Sequence, residues 1–206
     1  MKRTFIALNK KEISGYSSQY VPEFEKRFAE YCGVEYAVAV NSGTSAIHLA
    51  LEAIGISSGD EVLVSSYTNM ATFFPVLQLG AKAIPVDIDP LTYNMDPLDL
   101  VKVITERTKA IIVVHIFGHP APMDEIMKIA NELHIPVIED CAEAHGAEIN
   151  GKKVGSFGLI GCFSFYANKL MTTGEGGMCI TNSENIAKSM RSIASLSFGK
   201  INKFYL

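Results

Sequence analysis

Short runs of apolar, often β-branched residues alternate along this chain with segments of helical periodicity. The strand-like runs cover residues 36–40, 61–64, 83–88, 110–117 and 135–140. They lack a clean alternation of apolar and polar residues, which is typical of strands buried on both faces. A helix-like segment follows each of these strands. The sequence therefore predicts an α/β fold whose sheet is covered by helices on both sides.

Local signals indicate where the predicted helices begin and end. Pro22 opens the first helix and Gly33 closes it. Asp96, followed by Pro97, forms an N-cap and first turn. We also expect Asp124 to cap a helix that runs to residue 133.

The pattern changes after residue 140. The pair Asn150-Gly151 predicts a β-hairpin. Strands are predicted over residues 162–166 and 177–181, with a helix that continues to about Ser195.

Composition excludes several classes of protein. Of the 206 residues, 48% are hydrophobic and 19% are charged, which predicts one sizeable core and argues against extended disorder. A net charge of −4 gives no basic face for nucleic acid. Residues 1–13 lack the apolar stretch of a secretory signal, and no apolar run is long enough to span a bilayer. We therefore predict a cytoplasmic protein that binds neither nucleic acid nor membrane.

The four cysteines match neither the spacing of a disulfide scaffold nor that of a zinc site, so we predict buried free thiols. They are Cys32, Cys141, Cys162 and Cys179. The chain ends on the apolar and aromatic run 200–206, and domains rarely end on exposed aromatic residues. We expect the native polypeptide to continue past Leu206.

The first candidate site is the strand-to-helix turn at residues 41–45, with the sequence NSGTS. The N–H groups and the dipole at a helix N-terminus bind anions, and the hydroxyls of Thr44 and Ser45 would add donors beside Gly43. An ordinary helix cap explains the same residues, and the turn alone leaves both interpretations open.

The second candidate is Asp140, at the end of a predicted buried strand. A carboxylate in this position needs a cation, a hydrogen-bond network or a metal as its partner. A protonated pyridine nitrogen is one such cation, whereas an Asp that caps the next turn is the simpler alternative. Glu143 and His145 are only two residues apart and no second cluster joins them, so no metal site is expected.

The third candidate is Lys169, the only charged residue between Lys153 and Glu175. Its neighbours are small or aromatic, and a neutral lysine amine is a nucleophile toward aldehydes. A solvated surface lysine is the alternative. The glycines at 174, 176 and 177 suit a tight turn that lets other groups approach closely.

Together the three segments resemble the sugar-nucleotide aminotransferases of the DegT/DnrJ/EryC1/StrS family, from about Tyr20 to the last residue. The stretch SFYANKLMTTGEGGM is similar to the family pattern S-F-x-x-N-K-x-x-T-T-G-E-G-G. NSGTSAIHLAL resembles the phosphate-loop segment, and EDCAEAHGA resembles the segment around the pyridine-binding aspartate. The resemblance implies the three-layer α/β/α large domain of the type I (aspartate aminotransferase-like) fold of enzymes that use pyridoxal 5′-phosphate (PLP), with a mixed, mostly parallel sheet.

The resemblance also implies roles for individual residues. Lys169 would bind PLP covalently and later move a proton between the substrate carbon and the cofactor, and Asp140 would pair with the pyridine nitrogen. Glu143 stands where many members carry Gln near the ring. Asn69 stands where the family usually has a large aromatic residue that stacks on the ring. The complete cofactor set is Gly43, Thr44, Ser45, Asn69, Asp140, Glu143, Ser164 and Lys169.

The implied reaction is transfer of an amino group from an amino acid, L-glutamate in the family, to a keto-sugar nucleotide. The residues of these motifs are most similar to those of the perosamine synthase branch, which aminates C4 of 4-keto-6-deoxy sugars for cell-surface polysaccharides. Family members are homodimers with a small C-terminal domain. Residues 1–206 would then be a PLP-binding large domain without that small domain.

Two other functions are alternatives to this one. Sugar dehydratases of the same family carry histidine in place of the lysine, so Lys169 disfavours them. A non-catalytic protein that binds PLP or a sugar nucleotide, or an inactive fragment, is the alternative from another class.

Overall fold

The computed structural model describes residues 18–195. The predictions about residues 1–13 and about the tail 200–206 therefore lie outside the described part. The α-helices are α1 Tyr20–Cys32, α2 Gly43–Ala53, α3 Met70–Gln78, α4 Pro97–Val103, α5 Met123–Glu132 and α6 Glu184–Ala194. The strands are β1 Tyr36–Val40, β2 Glu61–Ser65, β3 Lys82–Val86, β4 Thr108–Val114, β5 Val137–Asp140, β6 Glu148–Ile149, β7 Lys152–Lys153, β8 Ile160–Ser164 and β9 Gly177–Thr181.

Seven of these strands form one sheet in the order β1-β9-β8-β5-β4-β2-β3. The pairs from β8 to β3 are parallel, whereas β9 runs antiparallel to both of its neighbours. The predicted mixed, mostly parallel sheet is confirmed. Because β9 separates them, β1 and β8 run in the same direction, and β1 ends at the edge where the parallel strands end.

Helices cover both faces of the sheet. One apolar cluster joins α2, α3 and α6 to one face through side chains such as Val62, Val64 and Ile112. Two further clusters join α1, α4 and α5 to the opposite face, through alternate residues such as Leu63 and Ile111. The alternation follows from the two-residue repeat of a β-strand. The three-layer α/β/α architecture is confirmed.

Several predicted boundaries were wrong. The run 110–117 is not one strand, because β4 ends at Val114 and a 3-10 turn over Ile116–Gly118 follows. Phe117 has a φ of 52° there, which a strand does not allow. Asp124 is not an N-cap: Pro122 precedes α5, and Asp124 lies in its first turn. The strand predicted at 162–166 is β8, which begins and ends two residues earlier.

Other local predictions are confirmed. Asp96 accepts a hydrogen bond from the Leu98 amide at 2.8 Å, as an N-cap does. Asn150 and Gly151 both have positive φ and join β6 to β7, which is the geometry of a type I′ hairpin turn. Gly33 ends α1 in the left-handed conformation, although the helix begins at Tyr20, before Pro22.

The four cysteines are buried and unpaired, as predicted. In the described range 18–195, every helix is too short or too polar to cross a bilayer.

Candidate active site

A cavity of about 310 Å³ opens at the carboxyl edge of the sheet. Ligand sites of α/β proteins lie at this edge, because the loops that follow neighbouring parallel strands meet there. Its walls come from the segments that follow β1, β2, β4, β5 and β8. The lining residues are Ser42, Gly43, Thr44, Ile47, Thr68, Asn69, Ala71, Thr72, Val114, Ile116, Asp140, Ala142, Glu143, Ser164, Tyr166, Asn168, Lys169 and Glu175.

The N-terminus of α2 forms one wall of the cavity. Ser42 is the N-cap, and its Oγ accepts a hydrogen bond from the Ser45 amide at 3.1 Å. Gly43 lies directly against β8, where a Cβ on Gly43 would stand 2.7 Å from the Cβ of Ser164. The absence of a side chain at Gly43 therefore brings the helix N-terminus and Ser164 together. This wall combines hydroxyls with the N–H groups of a first helical turn, which suits an anion.

Ser45 is the one predicted site residue that does not line the cavity. Its Oγ lies 2.9 Å from Ser42 Oγ, within the cap of α2. The sequence motif contained three hydroxyls, and the structure turns Ser42 and Thr44, rather than Ser45, toward the cavity. Ser42 was not among the predicted site residues, because the same residue type suits a helix cap and a cavity wall.

Asp140 ends β5 and is 5% exposed. Its Oδ1 accepts from the Ala142 amide at 3.1 Å, and its Oδ2 accepts from Thr72 Oγ1 at 2.9 Å. Burial raises the pKa of Asp140, while the two hydrogen bonds and the charge of Lys169 oppose the shift. A cation that enters the cavity beside this carboxyl group would lower its pKa and favour the ionised form.

Lys169 follows β8 in a turn closed by its own amide, which donates to the Tyr166 carbonyl at 3.0 Å. Its side chain is 21% exposed, and its Nζ lies 3.9 Å from Glu143 Oε1. The other oxygen of Glu143 accepts from the Phe117 amide at 2.8 Å. The residue is therefore a partly buried amine that borders the cavity, and the surface alternative for Lys169 does not match its surroundings.

Asn69 also lines the cavity, and it has a structural role. Its Oδ1 accepts from the Ala71 amide at 2.9 Å, which caps α3. Nearby Tyr67 is not a lining residue. Its ring instead packs against the rings of Tyr93 and Phe117, at centroid distances of 5.5 and 6.1 Å.

Next to Asp140, a buried group of possible metal ligands is satisfied by hydrogen bonds. His115, Glu139 and Cys141 lie close together. His115 Nδ1 accepts from the Ala121 amide at 3.0 Å, so its Nε2 carries the proton and donates to Glu139 at 3.0 Å. Glu139 also accepts three amide hydrogen bonds, at 2.6–2.7 Å. Both ring nitrogens are in use, and these residues form a structural network.

His145, the other histidine considered from the sequence, packs against Phe163 and Phe165. Its two ring nitrogens are buried and make no hydrogen bond of normal geometry with the described residues. Burial lowers its pKa, and Lys169 adds to that shift, although the nearby Ser164 carbonyl opposes it. His145 is therefore a neutral ring that packs in an aromatic layer.

The chemistry of the donor set fits PLP. A helix N-terminus with hydroxyls suits its phosphate, a buried carboxyl group suits its pyridine nitrogen, and a lysine amine suits its aldehyde. All three line one cavity. A ring-stacking aromatic residue is missing from position 69, and its absence removes only about 0.5–1.5 kcal/mol.

The chain is also similar to proteins of known function. A GDP-perosamine synthase of Caulobacter vibrioides is 51% identical over 173 residues, which cover 84% of this chain and 47% of that protein. The crystal structure of an aminotransferase from Psychrobacter cryohalolentis is 42% identical with a TM-score of 0.89, and the match covers 90% of this chain and 47% of that one. A GDP-4-keto-6-deoxymannose-3-dehydratase, with PLP and glutamate trapped in the crystal, is 36% identical with a TM-score of 0.83 and covers 87% and 48%.

This chain therefore spans about half the length of the proteins it matches. The sequence profile of the DegT/DnrJ/EryC1/StrS aminotransferase family matches residues 6–205, which is nearly the whole chain. Because of the extent of that match, the identity to its relatives and the shared fold, we conclude that the chain belongs to the DegT/DnrJ/EryC1/StrS aminotransferase family.

Proposed function

We propose that this chain is the PLP-binding large domain of a transaminase that moves an amino group from an amino acid to a keto-sugar nucleotide. One observation carries the proposal: a lysine amine, a buried carboxyl group and a helix N-terminus, contributed by three separate segments of the chain, border the same cavity. PLP is the cofactor of this family. When bound, it supplies an electron sink for the carbanion that forms next to nitrogen.

Lys169 is the proposed catalytic residue. Its Nζ would bind the cofactor covalently and, once released by the amino donor, would move the proton between the substrate carbon and the cofactor. Glu143 Oε1 lies 3.9 Å from this amine, and both side chains border the cavity. Glu143 lies between Lys169 and the Phe117 amide, which would place it near the cofactor ring.

Asp140 would pair with the pyridine nitrogen and keep it protonated. The carboxylate is costly in its buried position without a cation, and a protonated ring nitrogen is such a cation. Cofactor binding would therefore offset the cost of keeping this buried carboxyl group ionised.

The phosphate would lie at the N-terminus of α2, on Gly43 and Thr44 with Ser164 opposite. Ser42 joins this set because its hydroxyl borders the same wall. Ser45 would contribute through the cap that it makes with Ser42, at 2.9 Å. Asn69 would border the ring without stacking on it.

The proposed amino donor is L-glutamate, and the proposed acceptor is C4 of a nucleotide-linked 4-keto-6-deoxyhexose. The similarity to a GDP-perosamine synthase supports this acceptor class. The reaction would belong to cell-surface polysaccharide biosynthesis in the cytoplasm. Lys169 supports amination over dehydration, since the dehydratases of the family carry histidine at this position.

We also propose that the working protein is a homodimer. The outer face of α3 exposes Met70, Phe74 and Leu77, each about half exposed and spaced along one side of the helix. The same helix supplies Ala71 and Thr72 to the lining of the cavity. A second copy would cover the face, as expected for an exposed apolar patch beside a site.

The charges of the cavity also support a contribution from beyond the described residues. Its lining contains the carboxyl groups of Asp140, Glu143 and Glu175 but only one ammonium group, that of Lys169. Two anionic ligands, PLP and a sugar nucleotide, need further cationic partners. A neighbouring subunit or the remainder of the protein would supply them.

The same imbalance favours a second function for the isolated chain, as a weak or inactive binder of PLP or sugar nucleotide. The two functions differ in whether bound cofactor reacts with an amino donor. A spectroscopic experiment on the purified chain separates them.

The test adds PLP to wild type, to Lys169→Ala and to a matched control, Lys188→Ala, whose lysine is surface-exposed and pairs with Glu184. Borohydride reduction followed by mass spectrometry should place one cofactor on Lys169 in wild type and in the control. L-Glutamate should then convert the bound cofactor to its amine form. Labelling that persists in Lys169→Ala would sink the assignment, and labelling without conversion by glutamate would identify a binder.

A further inference from the structure

Two threonine hydroxyl groups, one just before the N-cap of α3 and one in its first turn, form a chain that leads to the candidate pyridine-binding carboxylate. Thr72 Oγ1 donates to Asp140 Oδ2 at 2.9 Å, although the two residues are 68 positions apart in the sequence. Thr68 Oγ1 lies 2.9 Å from Thr72 Oγ1. Neither threonine belongs to the three motifs from which the site was predicted.

The direction of this chain follows from proton counting. An ionised Asp140 can only accept hydrogen bonds, so the single hydroxyl proton of Thr72 is committed to it. Thr72 can then only accept from Thr68, and the order is Thr68 to Thr72 to Asp140. Hydrogen bonds in such a series strengthen one another because each donor is polarised by the next.

The chain also fixes the plane of the carboxyl group. The Ala142 amide holds Oδ1 and Thr72 holds Oδ2, so both oxygens of Asp140 are anchored from different elements. Thr72 itself is completely buried in the first turn of α3. The Asn69 cap defines where that turn begins, and the Thr72 amide donates to the Asn69 carbonyl at 3.0 Å.

We propose that Thr72 is a positioning residue for Asp140, and that the Thr68–Thr72 chain orients this carboxylate and favours its ionised form for a cationic ring nitrogen. The inference rests on the proposed function for the identity of that ring. Its effect on Asp140 exists in the protein without cofactor, so it can be tested separately.

The expected effect has a physical basis in hydrogen bonding to charge. A donor that bonds to the ionised form of an acid lowers its pKa, and Thr72 acts in this direction on Asp140, against the larger effect of burial. Other charged or titratable groups that act on Asp140 are Lys169 and His115. The thiols Cys141 and Cys162 also lie near it, and burial raises the pKa of both well above the ordinary value, so they stay neutral.

The experiment follows the carboxyl carbon of Asp140 by ¹³C NMR during a pH titration of the protein without PLP. Thr72→Val, which has nearly the same shape but no hydroxyl, should raise the pKa of Asp140, and Thr72→Ser should restore it. The matched control is Thr181→Val. Thr181 is also buried and its Oγ1 donates to the Leu159 carbonyl at 2.7 Å, so this variant removes a comparable hydrogen bond without moving the pKa of Asp140.

An unchanged Asp140 pKa in a folded Thr72→Val protein overturns the proposal. A shift of equal size in Thr181→Val also overturns it, because the effect would then reflect general loosening. If Thr72→Val does not fold, Thr68→Val provides the test, since Thr68 is only partly buried. It should shift the pKa in the same direction by less, and no shift would rule out the hydroxyl chain.

A second measurement uses the protein loaded with PLP. The conversion of bound cofactor by L-glutamate should slow about tenfold in Thr72→Val and recover in Thr72→Ser, since a hydrogen bond to a charged group contributes roughly that factor. If the Lys169 labelling experiment fails while the NMR titration succeeds, the proposed function is wrong and the Thr72–Asp140 relation remains. The reverse pair of outcomes rejects this inference alone.

Discussion

Glu139 and Asp140 are adjacent on β5, and both carboxyl groups are buried, yet their environments differ sharply. Glu139 accepts four hydrogen bonds, from His115 and from the amides of Gly155, Phe157 and Gly158. Asp140 accepts two and borders a cavity. Successive residues of a strand point to opposite faces, so one side chain enters the packed interior and the other meets the carboxyl edge.

The difference separates a carboxylate that is satisfied within the protein from one that has room for a ligand. A buried charge persists when its lone pairs are filled, and Glu139 meets this condition entirely within the protein. Asp140 retains room for another partner, and burial raises its pKa in the absence of one. Incomplete satisfaction at a cavity, rather than burial alone, makes Asp140 the candidate for ligand binding.

The largest effect that would test this comparison is expected from Glu139→Gln. A glutamine keeps the shape but turns an NH₂ group toward backbone N–H donors, which leaves buried donors without an acceptor. The free energy of unfolding should fall by about 3–5 kcal/mol, as for a broken buried pair. Urea denaturation measures it.

Asp140→Asn is the matched control for that measurement, with an expected loss of no more than about 1 kcal/mol. Equal losses in the two variants would contradict the distinction between the two residues.

A smaller effect concerns the pH dependence of stability. Because the folded-state pKa of Asp140 is raised above its ordinary value of 3.8, the folded protein holds this proton over a range where the unfolded chain has lost it. The contribution of Asp140 to stability is therefore fully present below pH 3.8 and is lost as pH rises through the raised pKa.

The free energy of unfolding of Asp140→Asn should accordingly gain on that of wild type as pH rises through this window. Urea denaturation at a series of pH values gives the difference. A constant difference between the two proteins would mean that Asp140 titrates in its ordinary range.

The smallest effect is expected at Glu143. Its contact with Lys169 is long and partly exposed, and such pairs contribute little. Glu143→Gln keeps an oxygen for the Phe117 amide, so unfolding should change by less than about 0.5 kcal/mol. A loss as large as that of Glu139→Gln would show that Glu143 also belongs to the structural network.

The sequence was sufficient for the layered α/β architecture and for the positions of Lys169 and Asp140. Those predictions depend on local signals, namely apolar runs, turn residues and a contiguous motif. Thr72 could not be found in this way, because its relation to Asp140 connects positions 68 residues apart. The end of β4 was predicted three residues too late because apolar residues continue into a turn where Phe117 has positive φ.

Ser45 illustrates a different limit. Three hydroxyl residues in five positions can each cap a helix or face a ligand, and only the path of the backbone decides between these roles. The contact of Gly43 with Ser164 sets that path, and it depends on the packing of α2 against β8.

The packing of α2 against β8 and β9 bears on the order of folding. Ser42 forms a bridge with Gly176, and the Cys179 thiol bonds to the Ala46 carbonyl 133 residues away. Contacts between such distant positions close a long loop, and their entropic cost delays them relative to local structure. The cavity wall formed by the N-terminus of α2 and Ser164 should thus be among the last parts of the domain to form, after β8 and β9 have been synthesised and paired.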